Sequence, residues 1–180
     1  MLERVVRTAR QVCGQVLVLG KEGAPPGWPV ELFVHFVPDP PQQAAVGSRG
    51  PMPALIAALV QTGAAVMLLA CDMPLLKAET LRLLMEAHQG DGRADATIAT
   101  SGEGVDRHAE PALAIYTPAL LPALRNLLHH QRGSFQPLLH HPNVQAWSVP
   151  LNRRHELLNV NDEATLAKAE RQMALGSAGS

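Results

Sequence analysis

The sequence predicts an α/β fold in which a mainly parallel, Rossmann-like sheet lies between two layers of helices. Apolar segments of strand length alternate with segments of helical periodicity along the chain, which is typical of parallel sheets. The clearest strand is the unbroken apolar run from Ala64 to Cys71, which suits a strand buried on both faces. A length of 180 residues is enough for one substantial core. We expect residues 1–174 to form a single domain and residues 175–180 to form a flexible tail.

The first half of the chain is predicted to begin with a helix over residues 2–13, because its apolar residues recur at helical spacing opposite three arginines. Gly14 is expected to end this helix. The segments that follow are a strand at residues 16–19, a strand at 30–37, a loop at 38–50, a helix opening at Pro51 or Pro53, and the strand that stops at Asp72.

The second half continues the alternation of helices and strands. Asn161 or Asp162 is expected to cap the last helix, because short polar side chains accept hydrogen bonds from the first turn. The predicted elements are a helix at residues 77–88, a strand at 94–100, a polar loop at 101–109, a strand at 111–116, a helix at 118–129, an outer strand at 144–149 and a final helix to about 173.

Charge and composition exclude several classes of protein. The net charge is −1, so no basic excess indicates binding to nucleic acid or to an anionic membrane. No apolar run is long enough to span a membrane, and the N-terminus does not read as a signal peptide. The two cysteines, Cys13 and Cys71, are expected to be buried free thiols in a reducing compartment. We therefore expect a cytoplasmic protein.

Asp72 is the first candidate functional residue. It ends a buried strand, and ligands of open α/β sheets bind at the carboxyl ends of the strands. A carboxylate there could hold Mg²⁺, which prefers one or two carboxylates together with substrate phosphates. The alternative is that Asp72 caps the helix that begins near Lys77, or starts a turn. The pattern alone leaves both interpretations open.

Four segments carry a family resemblance. They are residues 50–55 (G-P-M-P-A-L), 70–74 (A-C-D-M-P), 109–116 (A-E-P-A-L-A-I-Y) and 158–161 (L-N-V-N). In order and spacing they resemble the motifs G-P-L-A-G-I, C-D-M-P, E-P-L-x-A-L-Y and F-x-N-x-N of the molybdenum cofactor guanylyltransferase family. That family belongs to the nucleotidyltransferases of glycosyltransferase-A-like fold, which also contains nucleotide-diphospho-sugar transferases.

The resemblance implies transfer of GMP from GTP to molybdopterin with release of pyrophosphate. It implies that Asp72 binds Mg²⁺ at the nucleotide phosphates, and that Asn159 and Asn161 contact the pterin or hold the metal-bound phosphates. The alternative for the two asparagines is a turn before the last helix. The remaining substrate-binding positions that it implies are Glu110, Gly50, Pro51 and Asp39.

Arg107 precedes Glu110 in a loop that we expect to open toward the same sheet edge, so it could contact a phosphate or the pterin. Arg132 and Ser134 resemble a family segment near the pterin side, and arginine suits phosphate recognition. The alternative is that they belong to exposed turns. The histidine pairs at 129–130 and 140–141 flank the loop of Arg132, and a polar turn is the preferred interpretation over a metal site, because no cysteine or acidic partner lies at ligand spacing.

The chain also departs from the family pattern. The family begins with a strand and a loop, L-A-G-G-x-S-x-R-M-G, whose main chain and basic residues hold the triphosphate. No such segment occurs here, so we expect a sheet without its first, central strand. Two explanations are open: a start codon upstream, or an inactive accessory homologue that keeps the pterin-side surface. A cytidylyltransferase or another sugar-type nucleotidyltransferase is a further alternative, and a homodimer could cover an exposed sheet edge.

Overall fold

The computed structural model of the chain describes residues 1–21, 23–32, 34–37, 51–102, 108–130 and 134–177. Helices and strands alternate in the predicted order. The elements are α1 (Leu2–Arg10), β1 (Leu17–Leu19), β2 (His35–Val37), α2 (Pro51–Thr62), β3 (Val66–Leu69), α3 (Ala78–Asp91), β4 (Ala96–Ser101), β5 (His108–Tyr116), α4 (Leu121–His129), β6 (Val144–Ser148) and α5 (Glu163–Ser177). A 3₁₀ segment, Leu151–Leu157, connects β6 to the approach of α5.

A four-stranded sheet in the order β3-β5-β4-β6 forms the centre of the molecule. Strands β4 and β6 pair in parallel, whereas β5 runs antiparallel to both β3 and β4. It follows that β3, β4 and β6 point in one direction and β5 points in the other. The reversal of β5 has a simple cause: the connection from Ser101 to His108 is too short for the helical crossover that a parallel neighbour requires.

Helices cover both faces of this sheet, as predicted. Leu68 of β3 packs with α2 and α4, whereas its neighbours Met67 and Leu69 pack with α3 on the opposite face. The side chains of a strand alternate between its faces, so the apolar run of β3 contributes to both layers. The largest fully buried side chains are Tyr116, Met52, Leu55, Leu59, Met73, Leu81, Leu84, Ile98, Leu113, Leu120, Leu124 and Leu138.

A second, two-stranded sheet pairs β1 and β2 in parallel. Its small core joins Val6 of α1, Val18 of β1 and Leu32. Between β1 and β3 lies a cavity of about 830 Å³, which we call the slot; both strands and the helices α1 and α2 line it. The two described sheets are therefore separated by the slot.

Several features differ from those predicted. Strand β3 covers only Val66–Leu69 of the apolar run from Ala64 to Cys71, and Cys71 is exposed in the turn after it, so the prediction of a buried thiol there is wrong. Val30 is 86% exposed and lies in a turn, so β2 starts only at His35. The polar loop predicted to reach residue 109 is shorter, because β5 already starts at His108. Helix α5 continues to Ser177, beyond the predicted boundary after residue 174.

Within the described residues, no helix combines the length and the apolar character needed to cross a membrane.

Candidate functional site

The carboxyl ends of three strands meet at one edge of the central sheet. Because β3, β4 and β6 point the same way, the segments after Leu69, Ser101 and Ser148 leave the sheet at this edge. The antiparallel β5 starts here, which brings Glu110 to the same edge as Asp72. The segment after β6 then leads through the 3₁₀ segment to Asn159.

Asp72 lies in the turn that follows β3. Its main-chain carbonyl accepts a hydrogen bond from the N–H of Val160 at 2.9 Å. This bond joins the turn of Asp72 to the segment 158–161, so two of the predicted motifs are in direct contact. The Oδ1 atom of Asp72 is buried and has no hydrogen-bond partner among the described residues. A buried carboxylate oxygen without a partner is costly, so a ligand or an ordered water would complete its environment.

Asp72 does not cap α3, which was the alternative interpretation. The residue before α3 is Lys77, and the main-chain N–H of Lys77 donates to Oε2 of Glu156 at 3.0 Å. The Oγ1 of Thr80 donates to the same carboxylate oxygen. The start of α3 is thus satisfied by a residue 79 positions away, and the carboxylate of Asp72 remains available.

The two predicted asparagines have different environments. The Oδ1 atom of Asn159 is buried and lacks a partner in the described part of the chain. Asn161 is exposed, and its main-chain N–H donates to Oγ1 of Thr165 at 3.2 Å. Asp162 caps α5, as predicted, by accepting from the N–H of Thr165 at 2.8 Å. Of the two asparagines, Asn159 is therefore the one with a buried side-chain oxygen that lacks a partner among the described residues.

Glu110 reaches the site through an irregularity in the sheet. In the β4–β5 ladder, Ile98 pairs with Ala114, but the next residue, Ala99, pairs with Glu110. The register therefore shifts around Pro111, which has no N–H to donate. Burial raises the pKa of the Glu110 carboxyl, His108 opposes the shift, and the negative charge of Asp72 adds to it. Two carboxylates that repel each other at a strand end favour binding of a cation.

A cavity of about 270 Å³ opens beside Glu110. It is lined by Ser101, Glu110, Arg154, His155, Leu157, Leu158, Lys168 and Gln172. The Oε1 atom of Gln172 is buried without a partner in the described residues. Sequence reasoning missed Arg154 and Lys168, and the only signal was the basic run at residues 153–155 shortly before Asn159.

The donor atoms at this edge fit a hard divalent cation. The buried unpartnered atoms of Asp72 and Asn159 are both oxygens, and Glu110 adds a second carboxylate. No group of three or more His, Cys, Asp or Glu side chains suited to a metal occurs among the described residues. A hard cation that completes its shell with phosphate oxygens and water needs only one or two protein carboxylates.

Four predicted site residues lie outside the described residues: Asp39, Gly50, Arg107 and Arg132. Pro51 is described, and it opens α2 and lines the slot. Neither Asp72 nor Asn159 is among the described residues that line the two cavities, but Cys71 lines the slot and Leu158 lines the smaller cavity.

A mixed sheet between helices, with acidic and amide oxygens at its strand ends, is the arrangement that we expect of an α/β nucleotidyltransferase. The chain belongs to a family within that class: residues 1–144 match the family described as MobA-like NTP transferase domain. The family predicted from the four segments is thereby confirmed.

Two curated relatives have the same name. A "probable molybdenum cofactor guanylyltransferase" of Nostoc sp. (strain PCC 7120) is 30% identical over 128 residues, covering 68% of this chain and 58% of that protein. The protein of that name from Trichormus variabilis is 33% identical over 134 residues, with the same coverage. The chain thus spans less than two thirds of the length of these relatives.

Solved structures confirm the fold. A protein from Aquifex aeolicus has a TM-score of 0.69 at 22% identity and covers 90% of this chain and 79% of that one. Molybdopterin-guanine dinucleotide biosynthesis protein A from Archaeoglobus fulgidus has a TM-score of 0.60 at 24% identity and covers 78% of this chain and 68% of that one. The 2-C-methyl-D-erythritol 4-phosphate cytidylyltransferase from Thermus thermophilus has a TM-score of 0.67 at 17% identity and covers 96% of this chain and 88% of that one.

Proposed function

We propose that this protein transfers GMP from GTP to molybdopterin, with pyrophosphate leaving, and that the transfer depends on Mg²⁺ bound at Asp72. The observation that carries the proposal is the pair of buried, unpartnered Oδ1 atoms of Asp72 and Asn159 on two segments joined by the Val160–Asp72 hydrogen bond. The names of the two curated relatives support GTP and molybdopterin as the substrates.

The chemistry asks mainly for positioning and charge neutralisation. A phosphate oxygen of the acceptor attacks the α-phosphorus of GTP, a new P–O bond forms, and the bond to the bridging oxygen of the β-phosphate breaks. A bound Mg²⁺ would neutralise charge on the phosphates during this exchange. Asp72 would hold and orient that cation, with Glu110 as the neighbouring carboxylate. Asn159 would orient the acceptor or the phosphates, because a carboxamide both donates and accepts hydrogen bonds.

The cationic lining of the smaller cavity supports binding of an anionic group beside Glu110. Arg154 and Lys168 line it together with Glu110, and arginine suits the recognition of phosphate oxygens. We therefore assign the cavity to the phosphate-bearing end of the acceptor. The base preference for guanine rests on the C-D-M-P segment at residues 71–74 and on the names of the relatives.

The test compares Asp72→Asn with Asp95→Asn. Both variants replace a carboxylate with a neutral amide, but Asp95 precedes β4 and lies at the opposite edge of the sheet, where it accepts from Asn143. We expect Asp72→Asn to lower Mg²⁺-dependent pyrophosphate release from GTP and molybdopterin by about 10²-fold or more, since it removes a charge that acts on the transition state. Asp95→Asn should stay near wild type.

Three outcomes would contradict the proposal, and calorimetry of GTP, CTP and molybdopterin with Mg²⁺, combined with the assay of pyrophosphate release, separates them. Equal metal-dependent binding by wild type and Asp72→Asn would exclude Asp72 as the metal ligand. Tighter binding and faster turnover with CTP would identify a cytidylyltransferase. Binding of molybdopterin by a wild-type protein that releases no pyrophosphate would identify the accessory homologue.

A further inference from the structure

Helix α5 presents two neighbouring rows of side chains to the rest of the molecule. Ala169 is 0% exposed and packs in one cluster with Val160, and Met173 packs against the same cluster. Residues four apart lie on one face of a helix, so Ala169 and Met173 form the row that anchors α5. Lys168 and Gln172 each precede a member of that row and are also four apart. They form the adjacent row, and both line the smaller cavity.

The anchoring cluster also fixes α5 against the turn of Asp72. Leu75, which follows this turn, belongs to the cluster, and the N–H of Val160 donates to the main-chain carbonyl of Asp72 at 2.9 Å. Close-packed interiors deform little, so the cluster acts as a rigid connection. The row of Lys168 and Gln172 is therefore held in a fixed position relative to the proposed site.

The side chain of Gln172 has an accepting atom without a donor. Its Oε1 is buried, and no hydrogen-bond partner for it occurs in the described part of the chain. A carbonyl oxygen only accepts hydrogen bonds, so its partner must be an N–H or O–H group of a ligand or of a water. A buried oxygen that stays unpartnered costs free energy. The lining of the cavity at Gln172 therefore favours a ligand that brings a donor.

Two cations in the same lining have the opposite requirement. The guanidinium of Arg154 is oriented by contacts of Nε with the carbonyl of Val149 at 3.4 Å and of Nη2 with the carbonyl of Gly102 at 3.5 Å. Lys168 takes part in none of the described salt bridges. Guanidinium and ammonium groups only donate hydrogen bonds, and both suit phosphate oxygens. The cavity thus combines cations that favour an oxyanion with an oxygen that favours a donor.

We propose that Gln172 is a specificity-determining residue of this cavity: it selects a phosphate-bearing ligand that also carries a hydrogen-bond donor, while Lys168 and Arg154 bind the negative charge. An oxyanion without a donor leaves Oε1 of Gln172 unpartnered and is bound less well. Glu110 also lines the cavity, but in the proposed function it neighbours the cation at Asp72. The inference rests on that function, which assigns the cavity to the phosphate-bearing end of molybdopterin.

The first experiment compares inorganic phosphate with sulfate on the full chain in the presence of Mg²⁺. At about pH 8 both anions are mainly divalent and similar in size, but only phosphate keeps an O–H group. We expect wild type to bind phosphate about tenfold more tightly than sulfate, which corresponds to about 1.4 kcal/mol. Gln172→Leu should bind the two anions about equally. NMR titration measures both dissociation constants, and their ratio is not moved by a residue that only supports the fold.

Two further variants separate selection from charge. Lys168→Met should weaken phosphate and sulfate together and leave their ratio unchanged, because it removes attraction that both anions share. Gln172→Glu should also weaken both anions, but it keeps the preference for phosphate, because a carboxylate still accepts from the O–H. The matched controls are Arg171→Met on the same helix and Gln89→Leu on α3. Both residues are exposed and neither is among the described lining residues, so both variants should bind as wild type does.

The second experiment identifies the source of the donor in the substrate. Molybdopterin and methyl phosphate are both monoesters without an O–H on the phosphate at this pH, but only the pterin carries N–H groups. If these N–H groups meet Gln172, Gln172→Leu weakens molybdopterin binding by about tenfold, raises its KM and leaves methyl phosphate and the KM for GTP unchanged. If the phosphate O–H is the donor, Gln172→Leu changes only the binding of inorganic phosphate.

Three outcomes would overturn the inference. They are no phosphate binding by wild type, equal binding of phosphate and sulfate by wild type, and a phosphate preference that survives in Gln172→Leu. The last result would mean that Glu110 or an ordered water takes the donor. The anion ratio needs neither GTP nor turnover, so the two proposals fail separately. A wild type that prefers phosphate but releases no pyrophosphate would overturn the transferase and leave this inference standing.

Discussion

Glu110 is half-buried beside another carboxylate, and this has a consequence for stability. Its folded-state pKa is raised, first by burial and then by the charge of Asp72, although His108 lowers it. The folded protein therefore binds a proton more tightly here than the unfolded chain does. The contribution of this group to stability is present below the unfolded-state pKa and is lost as the pH rises through the folded-state pKa.

We expect Glu110→Gln to raise the free energy of unfolding at pH 7. Above the ordinary pKa range of glutamate, the free energy of unfolding should also decline less with rising pH in the variant than in the wild type. The amide is neutral at every pH, so it removes both the desolvation of a charge and the repulsion by Asp72. Urea unfolding between pH 4 and pH 8 measures the effect, with exposed Glu86→Gln as the control. Identical pH profiles for wild type and Glu110→Gln would contradict the prediction. Loss of transfer activity in the same, more stable variant would indicate that the carboxylate serves function.

Sequence reasoning reached some residues of the site and missed others for physical reasons. The position of Asp72 near a strand end was predictable because the apolar run stops at this acid, although β3 itself already ends at Leu69. The role of Asn159 came only from the family resemblance, since an Asn before a helix is otherwise a turn residue. Lys168 and Gln172 were not found, because they lie on a helix face with no local motif and reach the cavity only through the packing of α5.

At the level of elements, a buried carboxylate fixes the 3₁₀ segment against α3. Glu156 is 1% exposed, and it accepts from the N–H of Lys77, from Oγ1 of Thr80 and from Nη1 of Arg153. Lys77 follows Asp72 by five residues, and Asn159 follows Glu156 by three. The network therefore sets the separation of the two segments that carry the proposed site.

We expect Glu156→Ala to destabilise the protein by about 3–5 kcal/mol, because it leaves the start of α3 and the Arg153 charge without their buried partner. Glu156→Gln should cost less, since its amide oxygen can still accept from Lys77. The matched control is Glu79→Ala, which removes the exposed Arg82–Glu79 ion pair and should cost less than about 1 kcal/mol. Thermal and urea unfolding measure these differences, and equal effects of the two alanine variants would contradict the assignment.

Element types were more predictable than element directions. Helical periodicity and short apolar runs gave the helices and most strands, because burial of one face leaves a trace in the sequence. The reversal of β5 left no such trace, since a strand buried on both faces reads the same in either direction. The Glu156 network was equally invisible, because its partners in α3 are more than 70 residues away in the sequence.

At the level of the whole molecule, the slot separates two regions with unequal cores. The four-stranded sheet carries two extensive clusters of buried side chains. The cluster between α1 and the two-stranded sheet has only three buried members among the described residues, which are Val6, Val18 and Leu32. Cooperative units with less buried apolar surface open more readily. The β1–β2 region should therefore exchange its amides through a sub-global opening below the global unfolding free energy.

The side chain of Arg4 connects α1, and with it the two-stranded sheet, to the region of the four-stranded sheet. Its Nε donates to the carbonyl of Pro74 at 2.6 Å, and Oγ1 of Thr8 donates to the carbonyl of Leu76. A hydrogen bond from a charged donor contributes about 1.5–3 kcal/mol, and partial exposure places this one toward the lower end. Both bonds reach the segment just after Asp72, so loss of the tie also frees the proposed site.

We expect Arg4→Ala to lower the protection of amides in β1 and β2 by about tenfold, corresponding to about 1.4 kcal/mol, while amides in β4 and β5 keep theirs. Arg10→Ala is the matched control, because Arg10 donates only to the nearby carbonyl of Gly14 among its described hydrogen bonds. Native-state hydrogen exchange resolves the two regions. A uniform loss of protection in every strand would mean that the molecule opens as one unit. If the loss is confined to β1 and β2, the slot is the boundary between two units that open separately.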